Sequence, residues 1–493
     1  MIGRFLIALV LGLASATPGF SQDSQILVVQ VPAEPPGLDL TASPASAIAG
    51  IVHYNVQECL VKVDKRGKLV PWLAERWHVS GNTTYTFSLK RGVRFHNGRE
   101  VRAADVKFVL ERAANPQTNH PHRSRYTHIA AISVVDDFTV TVSLTRPDAS
   151  FLLTLARQGS VIYPEEAVGT LKSAPIGTGP FVFSEWLRGD RIVLARNPTY
   201  HVRGLPRLDR VTYRFIVDPN AALAALKAGD IDVSGFGLGP EHVVELQKDS
   251  RFQVVVGETT NDVVLAMNNA RKPFTDVRVR RAITYAVDKG EILTGAMFGL
   301  GRVLGSNVDP LNPYFVDTSK AMPHDPAKAR KLLAEAGYGS GFDAVLQVSP
   351  QYYYTVRAGE IIAGQLAKVG IRVTLEQIEW SQWLSRIWRD ADYDLTIIGH
   401  AEPWDIGNYA NPGYYFRYDS KKFQDLFRTS EETADGPARR ALYGQLQTQL
   451  VEDAPAVWLF MHPHLVVARR GLQGLWKDMP IPAADLSEVS WAK

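Results

Sequence analysis

The sequence predicts an α/β protein of two or three lobes, one of them a mixed α+β unit. Three observations carry that reading. The chain's 493 residues exceed the ~250–300 at which a single hydrophobic core stops growing. From residue 211 onward, short apolar strands alternate with helical stretches, the pattern of α/β units. Between residues 58 and 170 the texture differs, with two hairpin-like runs around one amphipathic helix.

The N-terminus, MIGRFLIALVLGLASATPGFSQD, runs from Arg4 through an apolar stretch (Phe5 to Ala14) to small residues, the order of a secretory signal peptide. The stretch is shorter than the ~20 residues that cross a bilayer as a helix, which argues against an anchor. Cleavage after Ala16 and after Ser21 both fit, and residues 1–21 are set aside as the leader. ILVVQV (26–31) then reads as a strand. In TTYTFSLKRGVRFHNG (83–98), Tyr85, Phe87 and Leu89 alternate with Thr84, Thr86 and Ser88 before a turn at Asn97-Gly98. AADVKFVLERAAN (103–115) puts Val106, Val109, Leu110 and Ala113 on one helical face, and ISVVDDFTVTVSL (132–144) turns at Asp136-Asp137.

Beyond the Gly/Pro-marked APIGTGPFVFSEW (174–186), VTYRFIVDPNAALAALKAGDIDVSGF (211–236) reads strand, helix, strand, with Gly229 ending the helix. TDVRVRRAITYAVDKG (275–290) has Asp276 as N-cap. DPAKARKLLAEAGY (325–338) has Asp325 as cap, Pro326 at the first helical position and Gly337 past the end. A helix from Ala358 to Gly370 leads into the strand IRVTLEQI (371–378), and DYDLTIIG (392–399) is a further strand. The run HAEPWDIGNY (400–409) hangs from its C-terminal end, where open α/β sheets bind ligands.

Composition narrows the function. A formal net charge of +3 and the lack of a long Lys/Arg run give no support for nucleic-acid binding. The only cysteine, Cys59, excludes an intramolecular disulfide, so an exported chain of this kind is held by core burial, with the bacterial periplasm as its natural setting.

Six stretches in a fixed order resemble one family, the large extracytoplasmic solute-binding proteins of peptide, opine and nickel ABC importers (extracellular solute-binding protein family 5). They are LVPWLAERW (69–77), YTFSLKRGVRFHNGREVRAADVKFVLER (85–112), GTGPFVFSEWLRGDRIVLARNPTYH (177–201), ALKAGDIDV (225–233), NNARKPFTDVRVRRAITYAVDK (268–289) and EDAPAVWLF (452–460). The resemblance implies a periplasmic binding protein fold: two ligand-enclosing lobes joined by crossing hinge segments, plus the extra α+β lobe. Lobe I would comprise 22–57 with 171–268 and 468–493, the extra lobe 58–170, and lobe II 269–467. It also implies a receptor without cofactor, a monomer that hands a small solute to permease subunits in the inner membrane.

Two site residues follow from the resemblance. Arg357, in YYYTVRAGEIIAGQLAKVG, matches the arginine that pairs with a ligand carboxylate in dipeptide-binding relatives. Glu402 stands, with a shifted register, where an aspartate holds the ligand's ammonium. DIGNY (405–409) replaces a DPDNF-like segment, with Ile406 in place of proline, and Gly399-His400 replaces a tryptophan-glycine approach. Those departures point away from an ordinary dipeptide, toward an opine or an amino-acid conjugate. Arg357 and Glu402 make a physical clamp: a guanidinium fork for a carboxylate and a carboxylate for an amine. Asp405, Trp404, His400, Tyr409 and Trp380 complete the expected lining, with Trp383 assigned to the core.

The rival reading is a secreted hydrolase working through Glu402 and Asp405. A glycosidase places two carboxylates on opposite sides of the scissile bond, roughly 5–9.5 Å apart, and one short loop fits that poorly. No GxSxG elbow, HExxH or P-loop occurs. The pairs His120/His122 and His462/His464 lack acidic or cysteine partners at metal spacing. The expectation is a binding protein with no metal site.

Overall fold

The computed structural model describes residues 25–492 apart from Phe236, so the expected signal peptide over 1–21 lies outside the described residues. Two large sheets organise it. One has seven strands in the order Phe252–Gly257, His464–Arg469, Val233–Ser234, Ile26–Val31, Arg210–Phe215, Arg191–Arg196, Phe181–Leu187. The other has six: Arg302–Val303, Ala456–Met461, Asp262–Met267, Leu395–His400, Phe342–Val348, Ile371–Gln377. A four-stranded antiparallel sheet (Ala74–Ser80, Thr84–Leu89, Thr139–Leu144, Ile129–Asp136) forms the α+β unit.

Local chemistry sets these elements where the pattern put them. Tyr85, Phe87 and Leu89 are buried on one face of their strand, and the helix Ala103–Ala114 buries Val106, Val109, Leu110 and Ala113. Asp218 accepts from the Ala221 amide at 2.8 Å, Asp276 from Arg278 at 2.8 Å and Asp325 from Lys328 at 2.9 Å. Each such N-cap contributes about 1 kcal/mol. Gly229 ends the first of these helices in the left-handed region, at φ 86°.

One element differs from the expectation. The helix expected from Ala358 starts at Tyr353 and ends at Ala367. Its early start is held by Thr355, whose hydroxyl donates to the Ser349 carbonyl at 2.8 Å, and by Tyr352 packed edge-on against Trp380. The segment Trp383–Arg389 is wound as a π-helix, which keeps Trp383 buried with its indole donating to Thr396 at 3.0 Å.

The chain crosses between the two large sheets at 258–261 and again at 462–463. Asp262–Met267 therefore stands in the six-stranded sheet and His464–Arg469 in the seven-stranded one, each ahead of the boundary read from sequence (268 and 467). Both are apolar over most of their length, 263–267 and 465–468, so composition does not mark which sheet they join. The crossings are tied together: the Thr259 hydroxyl donates to the His462 carbonyl at 2.6 Å, and the His462 amide to Asn261 at 2.8 Å. A third segment joins them, with the Met479 amide on the Glu258 carbonyl at 2.8 Å.

The six-stranded sheet is buried on both faces, as alternation along Asp262–Met267 requires. Val263 and Leu265 pack against the helices Val277–Ala286 and Tyr353–Ala367, and Val264 and Ala266 against Ile398, Tyr409, Tyr415 and Trp458. One further apolar core runs without a break from the seven-stranded sheet (Leu27, Val211, Tyr213) through Val52 and Tyr54 to Phe87 and Val140 of the α+β unit.

Candidate functional site

The strand Leu395–His400 ends opposite Asp262, the first residue after the crossing, with which His400 is in register. The loop that follows therefore lies over the crossing edge of the six-stranded sheet. The Thr260 hydroxyl tethers it by donating to the Ala401 carbonyl at 3.3 Å. From there the loop reaches the extra lobe.

Of the seven expected site residues, three face that junction. Glu402 pairs with Arg125 at 3.1 Å, and the Pro403 carbonyl accepts from Arg157. Glu402 is crowded by neighbours yet keeps 50% of its side-chain surface open. Trp404 adopts a left-handed backbone (φ 57°), a conformation that costs a bulky residue about 1–3 kcal/mol. That turn lays its ring edge-on against Tyr314 and against the apolar clusters of both sides of the junction. Asp405 opens a 3₁₀ turn, Asp405–Ala410, and accepts from the Asn307 amide at 2.8 Å.

Tyr409 is corrected. It is 1% exposed, stacked on Phe416 with its hydroxyl accepting from Trp458 at 3.0 Å, so it packs in the core. The turn Asp405–Ala410 rolls it inward, which spacing from Glu402 did not show. His400 is likewise buried, with Nε2 2.9 Å from the Tyr415 hydroxyl and Nδ1 3.3 Å from that of Tyr414. It positions those rings beneath the loop. Trp380 stacks on Trp383 at 4.9 Å and is half-buried.

Arg357 lies at the rim between the lobes. Its guanidinium approaches Glu241 of the helix Pro240–Leu246 at 3.4 Å, joining the helix Tyr353–Ala367 to the other lobe. The ion pair is more than a third exposed on both sides.

The extra lobe's contribution was not legible in the sequence. Arg125 closes the turn Arg123–Arg125 and Arg157 precedes the turn Gln158–Ser160. The two turns are bonded side by side, Tyr126 hydroxyl to Ser160 hydroxyl at 2.7 Å and His120 Nε2 to the Gly159 carbonyl at 3.1 Å. Glu402 lies 277 residues from Arg125 along the chain, a separation no local motif spans.

The electrostatics are divided. Burial pushes Glu402 up, but the guanidiniums of Arg125 and Arg157 outweigh it and hold the carboxyl below its ordinary range. Burial raises Asp405 to about 7, against the Asn307 bond and with the Glu402 charge adding to it. Burial, then the neighbouring Asp405, pushes Asp262 well above the carboxylate range, and both its oxygens lack a partner beyond its own residue. Burial and the Arg125 charge lower His122 to about 4. Among the described residues no group of three or more His, Cys, Asp or Glu is arranged to hold a metal ion. A separate recess of about 460 Å³, lined by Glu75, Lys90, Arg91 and His201 among others, lies away from this loop.

The family model for the bacterial extracellular solute-binding proteins, family 5 (Middle) matches residues 68–423. The chain belongs to that family. The family 5 chain is 27% identical to the glutathione-binding protein GsiB of Salmonella choleraesuis, over 94% of this chain and 95% of the relative. Among solved structures it is similar to the binding protein AgaA from A.tumefacien R10 in complex with agropinic acid, with a TM-score of 0.81, 28% identity and coverage of 95% and 99%. The oligopeptide-binding protein AppA from Bacillus subtilis, in complex with a nonapeptide, matches with a TM-score of 0.79, 25% identity and coverage of 95% and 100%. Family and relatives are solute-binding proteins. Their two-lobed architecture is the one found here.

Proposed function

We propose that this chain captures a small amphoteric solute, a peptide, an opine or a related amino-acid conjugate, in the cleft beneath the 401–405 loop. It delivers that solute to the permease subunits of an ABC importer, acting as a monomer in the periplasm. The observation that supports this reading is the charge opposition across the junction, Glu402 on one side and Arg125 and Arg157 on the other. A zwitterion is the solute class that meets both signs at once. Two ligands of the similar proteins fit that class, since glutathione and a nonapeptide carry both amine and carboxylate; agropinic acid supplies the acid half.

Lobe closure about 258–261 and 462–463 strengthens such pairings by excluding water, since Coulomb attraction scales inversely with the local dielectric. Glu402, Trp404 and Asp405 face the solute in this reading, and Arg357 acts at the rim by holding the closed form through Glu241. Native mass spectrometry of the exported protein, followed by denaturation, tests it. Release of an intact small amphoteric molecule in a one-to-one ratio is the expected result. A covalent adduct or a cleaved product would revive the hydrolase reading.

A further inference from the structure

We propose that Arg125 and Arg157 of the extra lobe form the subsite that takes the solute's carboxylate, opposite Glu402 and Asp405. This rests on the cleft proposed above and assigns its anion-binding half. Arg357, the arginine that sequence resemblance favours, is engaged by Glu241 at the rim.

Three observations carry the assignment. The two arginines are held side by side by bonded turns, Tyr126 to Ser160 and His120 to Gly159, so their positions are built and not incidental. Their hydrogen bonding is unspent: Arg125 donates to Glu402 and Arg157 to the Pro403 carbonyl, while the buried Nε of Arg157 and the buried Nε2 of His122 have no partner. Their charge is under-compensated as well. Two guanidiniums share the one carboxylate held below its ordinary range, while burial raises Asp405 to about 7. Burial, then the Arg125 charge, also depresses Arg157 to about 9, against the opposing Glu402 and Asp405 charges.

A carboxylate entering here completes a fork that Glu402 fills only in part. It also orients the solute, acid end toward the extra lobe and amine end toward the 401–405 loop. The class that fits is an amino-acid conjugate or short peptide with a free carboxylate, and its uncharged amide analogue fits poorly.

The test uses calorimetry on the full exported chain with dialanine, glutathione and agropinic acid, each beside the analogue in which carboxylates are carboxamides. Arg157→Gln and Arg125→Gln are each expected to weaken the acids at least about tenfold, the scale of losing a charge-assisted contact, and the amides less than about twofold. Arg125→Gln, at a partly exposed position, serves if Arg157→Gln does not fold. Equal affinity of the acids for wild type and a folded variant would overturn the arginine assignment and leave the cleft standing. Failure of all three acids to bind wild type would overturn the amphoteric reading, and the assignment with it.

Discussion

Glu58 is fully buried and receives four donors on two oxygens. Oε1 accepts from the Trp72 indole at 2.5 Å and the Tyr200 hydroxyl at 2.8 Å, and Oε2 from the Thr178 hydroxyl at 2.8 Å and His201 Nε2 at 3.0 Å. The indole can only donate, whereas a threonine hydroxyl and an imidazole nitrogen can turn acceptor. Glu58→Gln, with its oxygen toward Trp72 and Tyr200 and its amide toward Thr178 and the neutral imidazole of His201, therefore keeps every contact and loses the charge assistance. That costs about 1–2 kcal/mol, because hydrogen bonds to charged groups exceed neutral ones by roughly that amount. Glu58→Ala strands the indole and leaves a hole, for about 3–5 kcal/mol. Urea unfolding followed by circular dichroism measures both. Burial pushes the Glu58 carboxyl up, but His201 and the hydrogen bonds outweigh it and set it below its ordinary value. Its charge therefore stabilises the fold above the unfolded value of about 4.3, and that contribution fades as pH falls through the folded value. The gap between wild type and Glu58→Gln should narrow below pH ~4. A Gln variant as unstable as the Ala variant, or a gap that widens in acid, would refute the reasoning.

Three further outcomes are expected. Arg439 is 1% exposed and donates to Glu431 at 2.8 Å, to Ser150 at 3.1 Å and to the Ala149 carbonyl at 3.2 Å; Arg439→Leu should cost about 3–5 kcal/mol in urea unfolding by stranding Glu431, and the double change with Glu431→Leu should recover most of it. Asp405, raised to about 7 by burial, disfavours the folded state increasingly as pH rises through that value; Asp405→Asn should be more stable than wild type at pH 8 and equal to it near pH 4. Arg357→Ala should weaken solute binding less than about fivefold, because its exposed pair with Glu241 is worth roughly 0–1 kcal/mol; a tenfold loss confined to carboxylates would move Arg357 into the site.

The sequence was most legible where a periodicity is fixed by one local rule. The alternation of Tyr85, Phe87 and Leu89, the caps Asp276 and Asp325, and Gly229 in its left-handed turn each depend on neighbours a few residues away. The placement of HAEPWDIGNY beyond a strand end was legible for the same reason. Which of its side chains face the cleft was not. Tyr409 and Trp404 are both aromatic and five residues apart, yet the 3₁₀ turn and the left-handed Trp404 send one into the core and leave the other bridging the junction. The crossings were read late because Asp262–Met267 looks the same whichever sheet it joins. Arg125 and Arg157 carried no signal, since only the folded chain brings them to Glu402.

The unbroken apolar core from Leu27 to Val140 has a mechanical consequence. Three sheet assemblies linked by flexible joints would need several angles to describe their arrangement. Here the extra lobe is welded to the seven-stranded sheet, leaving two stiff bodies and a narrow strap between them. The arginines are then expected to travel with one body and Glu402 with the other, so that a single distance should describe opening. One pair of fluorophores, placed on the helices Ala103–Ala114 and Lys421–Glu432, would follow the whole motion as one distance.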